Sequence, residues 1–346
     1  MKYISIAFIS LLSIINYSYS STKQNQTGFD RIDKQLDSIM VQYKIPGVQL
    51  AIIHNEKIVY AKAYGYSDVE KRTPVTNFST FRVASLSKPI TLTSILKLFM
   101  DKGLSLDHKV FGKNGLLSFD YPLLDTAKLQ KITVKHLIDH KAGFTNNLGD
   151  PMFWDKFISQ DELIKRVLTE RHIEFDPGEK YSYSNFGYCL LGRIIEVVSG
   201  ATYADYVCHT ILPLCDIQSM CIGGNEIADR KNDEVTYYGQ ESLSPYAMNI
   251  ERMDAHGGWI GSASDLVKFL MAVDRNPQVD DILPKEWIEN TYLSYERWIH
   301  TGSLPGTSAI ISRFDDNWGY AILANTRTNG VLEAMESVVT SNLSIQ

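Results

Sequence analysis

The chain has 346 residues, 44% of them apolar and 21% charged, with a formal net charge of −6. That composition supplies a full hydrophobic core and excludes an intrinsically disordered chain. The acidic balance excludes the basic footprint a nucleic-acid binder needs, so no nucleic-acid partner is expected.

Residues 1–20 carry one charge, Lys2, then an apolar run from Ile4 to Ile15, then a stretch in which Ser18 and Ser20 fit a small-x-small cleavage site. This reads as a signal peptide, with an uncleaved anchor as the alternative. The mature chain, 21–346, is then expected to be exported, periplasmic or secreted, with no membrane span. Phe29, Ile32, Leu36, Ile39 and Met40 recur at three and four residues, and the Ile45-Pro46-Gly47 breaker ends the helix they predict. Val48 to Ile53 and Ile58 to Ala63 read as a hairpin around His54-Asn55-Glu56. A helical pattern runs from Ser85 to about Leu104, another from Gly187 to Val198, and a third from Ser264, read as its cap, to about Asp274. Ser308 to Phe314 and Trp318 to Asn325 form a second predicted hairpin, and a closing helix follows Gly330. Helix plus hairpin at one end and hairpin plus helix at the other predict one sheet built from both termini. The α/β part then covers about 29–80 and 255–346, and a mainly helical insertion covers about 81–254. Cys189, Cys208, Cys215 and Cys221 match no common zinc spacing, and three disulfide pairings stay open. Cys189, in an apolar stretch, is expected to be a buried small hydrophobe.

Acyl transfer by a serine requires a nucleophile, a base, a proton relay to the leaving group and an oxyanion hole. A lysine three residues after a serine on a helix shares its face, and burial makes the neutral amine accessible as a base. Three such pairs occur, Ser20/Lys23, Ser85/Lys88 and Ser94/Lys97. Only Ser85 follows a strand-like run, Phe81-Arg82-Val83-Ala84, into a helix start, where backbone N–H groups face outward. Lys97 reads as a solvated charge. Tyr183-Ser184-Asn185 is the single Tyr-x-Asn of the chain. Beside a lysine the tyrosine is expected to have a lowered pKa and to relay protons, and the amide to orient a substrate. Taken alone it reads more readily as a polar turn with Asn185 capping a helix. His300-Thr301-Gly302 precedes the last strands, where a glycine lets a ligand approach a strand edge and a protonated histidine adds positive charge.

Together, Ser85-x-x-Lys88, Tyr183-x-Asn185 and His300-Thr301-Gly302 resemble the motif triplet of the serine β-lactamase and penicillin-binding protein superfamily, in its class C and DD-peptidase-related branch. The stretches from Ile132 to Phe144 and from Gly257 to Leu266 extend the resemblance over nearly the whole mature chain. It implies an α/β (α+β) fold, with an antiparallel sheet flanked by helices and an inserted helical domain. It further implies Ser85 as nucleophile, Lys88 and Tyr183 as acid/base pair, and Asn185 on the substrate amide. The backbone N–H groups of Ser85 and Ser303 would form the oxyanion hole, with Thr301 and His300 meeting a substrate carboxylate. No metal or organic cofactor is implied. Two departures stand out: His300 replaces the lysine usual in class C β-lactamases, and His140-Lys141-Ala142-Gly143 replaces a more usual Thr-Ser pair before the glycine. The readings that follow are a hydrolase of D-amino-acid peptides or amides, an esterase, a β-lactamase, and a slowly deacylating penicillin-binding sensor. In the first, a charged His300 predicts a carboxylate preference that weakens between roughly pH 6 and 8.

Overall fold

The computed structural model describes residues 28–117, 126–231, 233–239, 243–276, 278–289, 291, 293 and 298–343. The expected signal peptide lies outside them. Two compact units separate, one formed by the chain up to Ile45 together with Asn329 onward, the other by Pro46–Thr328. In the first, helix α1 (28–43) and the C-terminal helix are joined by the Asn342 side-chain amide, which donates to Gln35 Oε1 at 2.6 Å.

The second unit is built on a six-stranded antiparallel sheet. Its N-terminal strands are β1 (Gly47–His54), β2 (Ile58–Asp68) and β3 (Thr73–Pro74). Then come β4 (Phe81–Arg82), β5 (Cys221–Ile222), β6 (Tyr238–Gly239) and β7 (Trp259–Gly261). The last strands are β8 (Trp298–Leu304), β9 (Thr307–Arg313), β10 (Trp318–Ala324) and β11 (Thr326–Arg327). The sheet order β3-β2-β1-β10-β9-β8 seats the C-terminal β10 directly against the N-terminal β1, with Val48 opposite Ala324 and His54 opposite Trp318. One sheet does therefore draw on both ends of the chain. Strands β9 and β10 are buried along their whole length, and β10 accordingly reads as a nearly continuous apolar run instead of an alternating one. β8 is the edge strand, and its pairing places Thr301 opposite Ile310 and Gly302 opposite Ala309.

The helices are α2 (Ser87–Lys102), two short ones, α3 (Thr126–Leu129) and α4 (Val134–Ile138), then α5 (Gln160–Glu170) and α6 (Asn185–Ser199). They continue with α7 (Tyr203–Tyr206), α8 (Ala263–Met271), α9 (Lys285–Ile288) and, in the first unit, α10 (Val331–Leu343). Two local expectations are corrected. The cap of α8 is Ser262, not Ser264: Ser262 accepts from Asp265 N–H while Asp265 accepts from Ser262 N–H, a reciprocal capping box. α6 is capped by the Ser184 hydroxyl, which accepts from Gly187 N–H at 3.0 Å, so Asn185 is released from the capping duty that a turn reading assigns it. Strands β4, β7 and β5 form a second sheet of three short strands. α2 and α6 end as glycine-terminated helices do, on Gly103 and Gly200 in the left-handed region. Cys189 is fully buried, and burial pushes its thiol up to about 12; all four cysteines are unbonded.

Candidate active site

Ser85 does not open α2. It sits in a tight 3-10 turn, Ala84–Leu86, just before that helix, and Ala84 carries a φ of 50°. A side chain in the left-handed region costs energy, so the surroundings must hold the turn in place. They do so through the preceding strand. Arg82 is buried with its guanidinium 4.2 Å over the Tyr237 ring and donating to Pro245 O at 2.6 Å. Arg82 N–H donates to the Tyr237 hydroxyl, and Val83 N–H to Trp259 O at 2.9 Å.

On α2, one turn further on, Lys88 is completely buried. Its Nζ donates to three oxygens: Ser85 Oγ at 3.2 Å, Asn185 Oδ1 at 2.7 Å and His256 O at 2.8 Å. Burial pulls its pKa down to about 7, and the negative charge of Asp150 opposes that fall. The amine is therefore half neutral near neutral pH while its position is fixed on three sides. From the other side the Tyr183 hydroxyl donates to Ser85 Oγ at 2.9 Å, and the Lys88 ammonium lies 4.8 Å from the centre of the Tyr183 ring. The expectation of a lowered tyrosine pKa fails. Burial pushes Tyr183 up to about 12, outweighing its hydrogen bond to Ser85, so its proton stays on and the hydroxyl is a donor.

Asn185 begins α6 and is engaged at both ends of its amide, accepting from Lys88 and donating to Asp150 Oδ2 at 2.5 Å. His300, Thr301, Gly302 and Ser303 lie on the edge strand β8. A side chain at Gly302 would overlap the Val83 carbonyl oxygen, so the glycine is what lets β8 close on the turn that carries Ser85. Thr301 and Ser303 are exposed along the strand. His300 stands at the site but not in the charge state expected of it. Burial and the nearby Lys88 charge push its pKa down to about 4, against the opposing pull of a hydrogen bond with the Ser85 backbone. It is a neutral imidazole at pH 7.

Three participants were missed in the sequence. Asp150 anchors the Asn185 amide and carried no local signal. His256 supplies the carbonyl that holds Lys88, from a π-helical turn (Asp254–Gly258) whose neighbouring carbonyl, Ala255 O, accepts from Thr91 on α2. His140, visible as part of a departure from the family pattern, accepts from Ser184 N–H through Nδ1 at 3.1 Å and lies 4.7 Å from the Tyr183 ring. The rival Ser94/Lys97 pair is structural: Ser94 Oγ donates to Ile90 O, and Lys97 pairs with Asp101 at 2.6 Å.

A serine held in a tight turn between a buried amine and a protonated tyrosyl hydroxyl, beside an open strand edge, is the arrangement of a serine hydrolase. The Beta-lactamase family model matches residues 32–339, and the chain belongs to that family, within the superfamily of serine β-lactamases and penicillin-binding proteins. It is 27% identical over 191 residues to Protein flp of Staphylococcus aureus (strain N315); the match covers 55% of this chain and 38% of that protein's length. The octameric penicillin-binding protein homologue from Pyrococcus abyssi is similar over 92% of this chain and 77% of its own, with 25% identity and a TM-score of 0.72. D-amino acid amidase from Ochrobactrum anthropi SV3 has the same fold over 92% of this chain and 98% of its own, at 20% identity and a TM-score of 0.74. Among the described residues, no helix is long and apolar enough to cross a membrane.

Proposed function

We propose that the chain hydrolyses D-amino-acid-containing peptides or amides through an acyl-enzyme on Ser85, and that β-lactams acylate the same oxygen. The observation that carries this reading is the pair of contacts on Ser85 Oγ: Lys88 Nζ at 3.2 Å and the Tyr183 hydroxyl at 2.9 Å. Neutral Lys88 takes the serine proton as Oγ adds to the substrate carbonyl. The hydroxyl of Tyr183, which keeps its proton, donates to the leaving nitrogen as the C–N bond breaks, and Lys88 returns a proton to the tyrosine oxygen. Water then attacks the ester, with the same pair removing its proton. Backbone N–H groups of Ser85 and Ser303 are the proposed oxyanion donors, and Thr301 on the exposed edge is a donor to the bound substrate. The similarity to an amidase acting on D-amino acids supports the substrate class. Maturation by signal-peptide cleavage and export to the periplasm or exterior belong to the same proposal.

The neutral state of His300 favours one rival, an esterase that needs no charged clamp. The two are separated by steady-state hydrolysis of a D-alanyl-D-alanine peptide, a penicillin and a neutral activated ester. The proposal expects turnover of the peptide and a penicillin adduct that clears slowly. Turnover of the ester, with no acylation by peptide or penicillin, would instead establish the esterase.

A further inference from the structure

Beside Ser85 lies a cavity of about 740 Å³ that Tyr183 and His300 line, together with Tyr181, Trp298, His140 and Lys141. Neither Asn185 nor Ser303 borders it. It therefore lies on the Tyr183 and His300 side of the site, and in the proposed mechanism Tyr183 is the group that serves the leaving half. The charges around it are nearly all matched. Lys135 pairs with Asp139 at 2.5 Å, and Glu289 pairs with Lys285 at 3.7 Å. His300 and His140 are both neutral at pH 7, pushed down to about 4 and about 3 by burial and by Lys88. Lys141 is the exception: its side chain forms no ion pair among the described residues, although it borders the cavity.

The backbone of Lys141 is held firmly. Its N–H donates to His136 O at 2.8 Å, and its carbonyl accepts from Gly178 N–H at 2.8 Å. The flanking His140 carbonyl accepts from Ser182 N–H at 2.7 Å, which ties this loop to the segment that carries Tyr181 and Tyr183. At the next turn, Gly143 has a φ of 89° and fits where an added side chain would overlap Phe175 O. Lys141 is thus held at the cavity by a loop fixed relative to the tyrosine.

We infer that Lys141 is a specificity-determining residue, reading a free carboxylate on the leaving group of the substrate from within this cavity. The inference rests on the proposed acyl-enzyme and narrows it to amides whose departing half is an amino acid or a carboxy-terminated peptide. The aromatic walls from Tyr181 and Trp298 suit an apolar side chain on that half. With no ion pair to break among the described residues, the Lys141 side chain loses little by closing on the ligand, and one charge-assisted contact gives roughly tenfold in binding.

The test compares N-acetyl-D-alanyl-D-alanine with its C-terminal carboxamide, using wild type, Lys141→Met and Lys141→Arg. The expected wild-type preference for the free acid, expressed as the ratio of kcat/KM values, falls roughly tenfold in Lys141→Met through KM of the acid, and Lys141→Arg restores most of it. An unchanged ratio in Lys141→Met, or an equal loss for both substrates, overturns the assignment. Hydrolysis of neither substrate by wild type, with Ser85 still acylated by an activated ester, also overturns it and leaves the acyl-enzyme reading standing. Absence of any Ser85 adduct removes both.

Discussion

In the proposed mechanism Lys88 concentrates the chemistry into one titration. Because burial lowers its pKa to about 7, the base is protonated below that value and neutral above it. The acid limb of kcat/KM is therefore expected near pH 7, with activity falling about tenfold per pH unit below it. Around the ammonium stand the rings of Tyr183 and Tyr188, the neutral His140, His256 and His300, and the anionic Asp150. Asp150 is the one anion among these and the coulombic source that favours the charged amine. Asp150→Asn is accordingly predicted to move the acid limb to lower pH, while Asp150→Glu keeps it close to wild type; a pH–rate profile of each variant checks this. An unmoved limb in Asp150→Asn, with lowered activity at every pH, would mean that Asp150 serves only to hold Asn185 in place. The same reasoning revises the expectation for His300. With a pKa of about 4, its charge does not change between pH 6 and 8, so it cannot impose a carboxylate preference that fades over that range.

The decisive contact between elements is the meeting of the edge strand β8 with the 3-10 turn of Ser85. Gly302 makes it possible, since its missing Cβ leaves room for Val83 O, and Ala84 Cβ is 3.2 Å from where a side chain would begin. Gly302→Ala is predicted to push β8 away from the turn, at a stability cost of about 1–3 kcal/mol typical of overpacking. Because Ser303 N–H moves with the strand, kcat should fall by about two orders of magnitude, the size of one lost oxyanion donor. Thermal unfolding and steady-state kinetics on the one variant measure both effects; retained kcat would take β8 out of the oxyanion hole. Elements of this kind were legible in outline. The alternating and apolar runs predicted both hairpins to within a few residues, and breakers such as Gly103 and Gly200 located helix ends. The 3-10 turn at Ser85 was not legible, because the contacts that hold it come from Tyr237, Trp259 and Gly302, far away in the sequence, and the strand character of His300-Thr301-Gly302 was not legible because the tripeptide carries no apolar alternation and is a strand through its pairing with β9.

For the whole molecule, the sheet explains how a site of three distant motifs comes together. Pairing β1 with β10 joins the two ends of the Pro46–Thr328 unit, and β9 then places β8 beside the turn that follows β4. A reading of periodicity anticipates one sheet from both ends, and the resemblance anticipates Ser85, Lys88 and Tyr183 as neighbours. Asp150 and His256 stayed hidden for a physical reason: one acts through the far end of an amide, the other through a main-chain carbonyl that any residue could offer. The charge of His300 was misjudged because burial beside Lys88 is a property of the assembled site, not of the tripeptide. What the account stakes most on is Ser85 itself, and the direct measurement is peptide mapping by mass spectrometry after brief incubation with a penicillin. The predicted result is one acyl adduct, on Ser85, that is absent in Ser85→Ala and present in Ser94→Ala. An adduct on another residue, or one that survives Ser85→Ala, would contradict it.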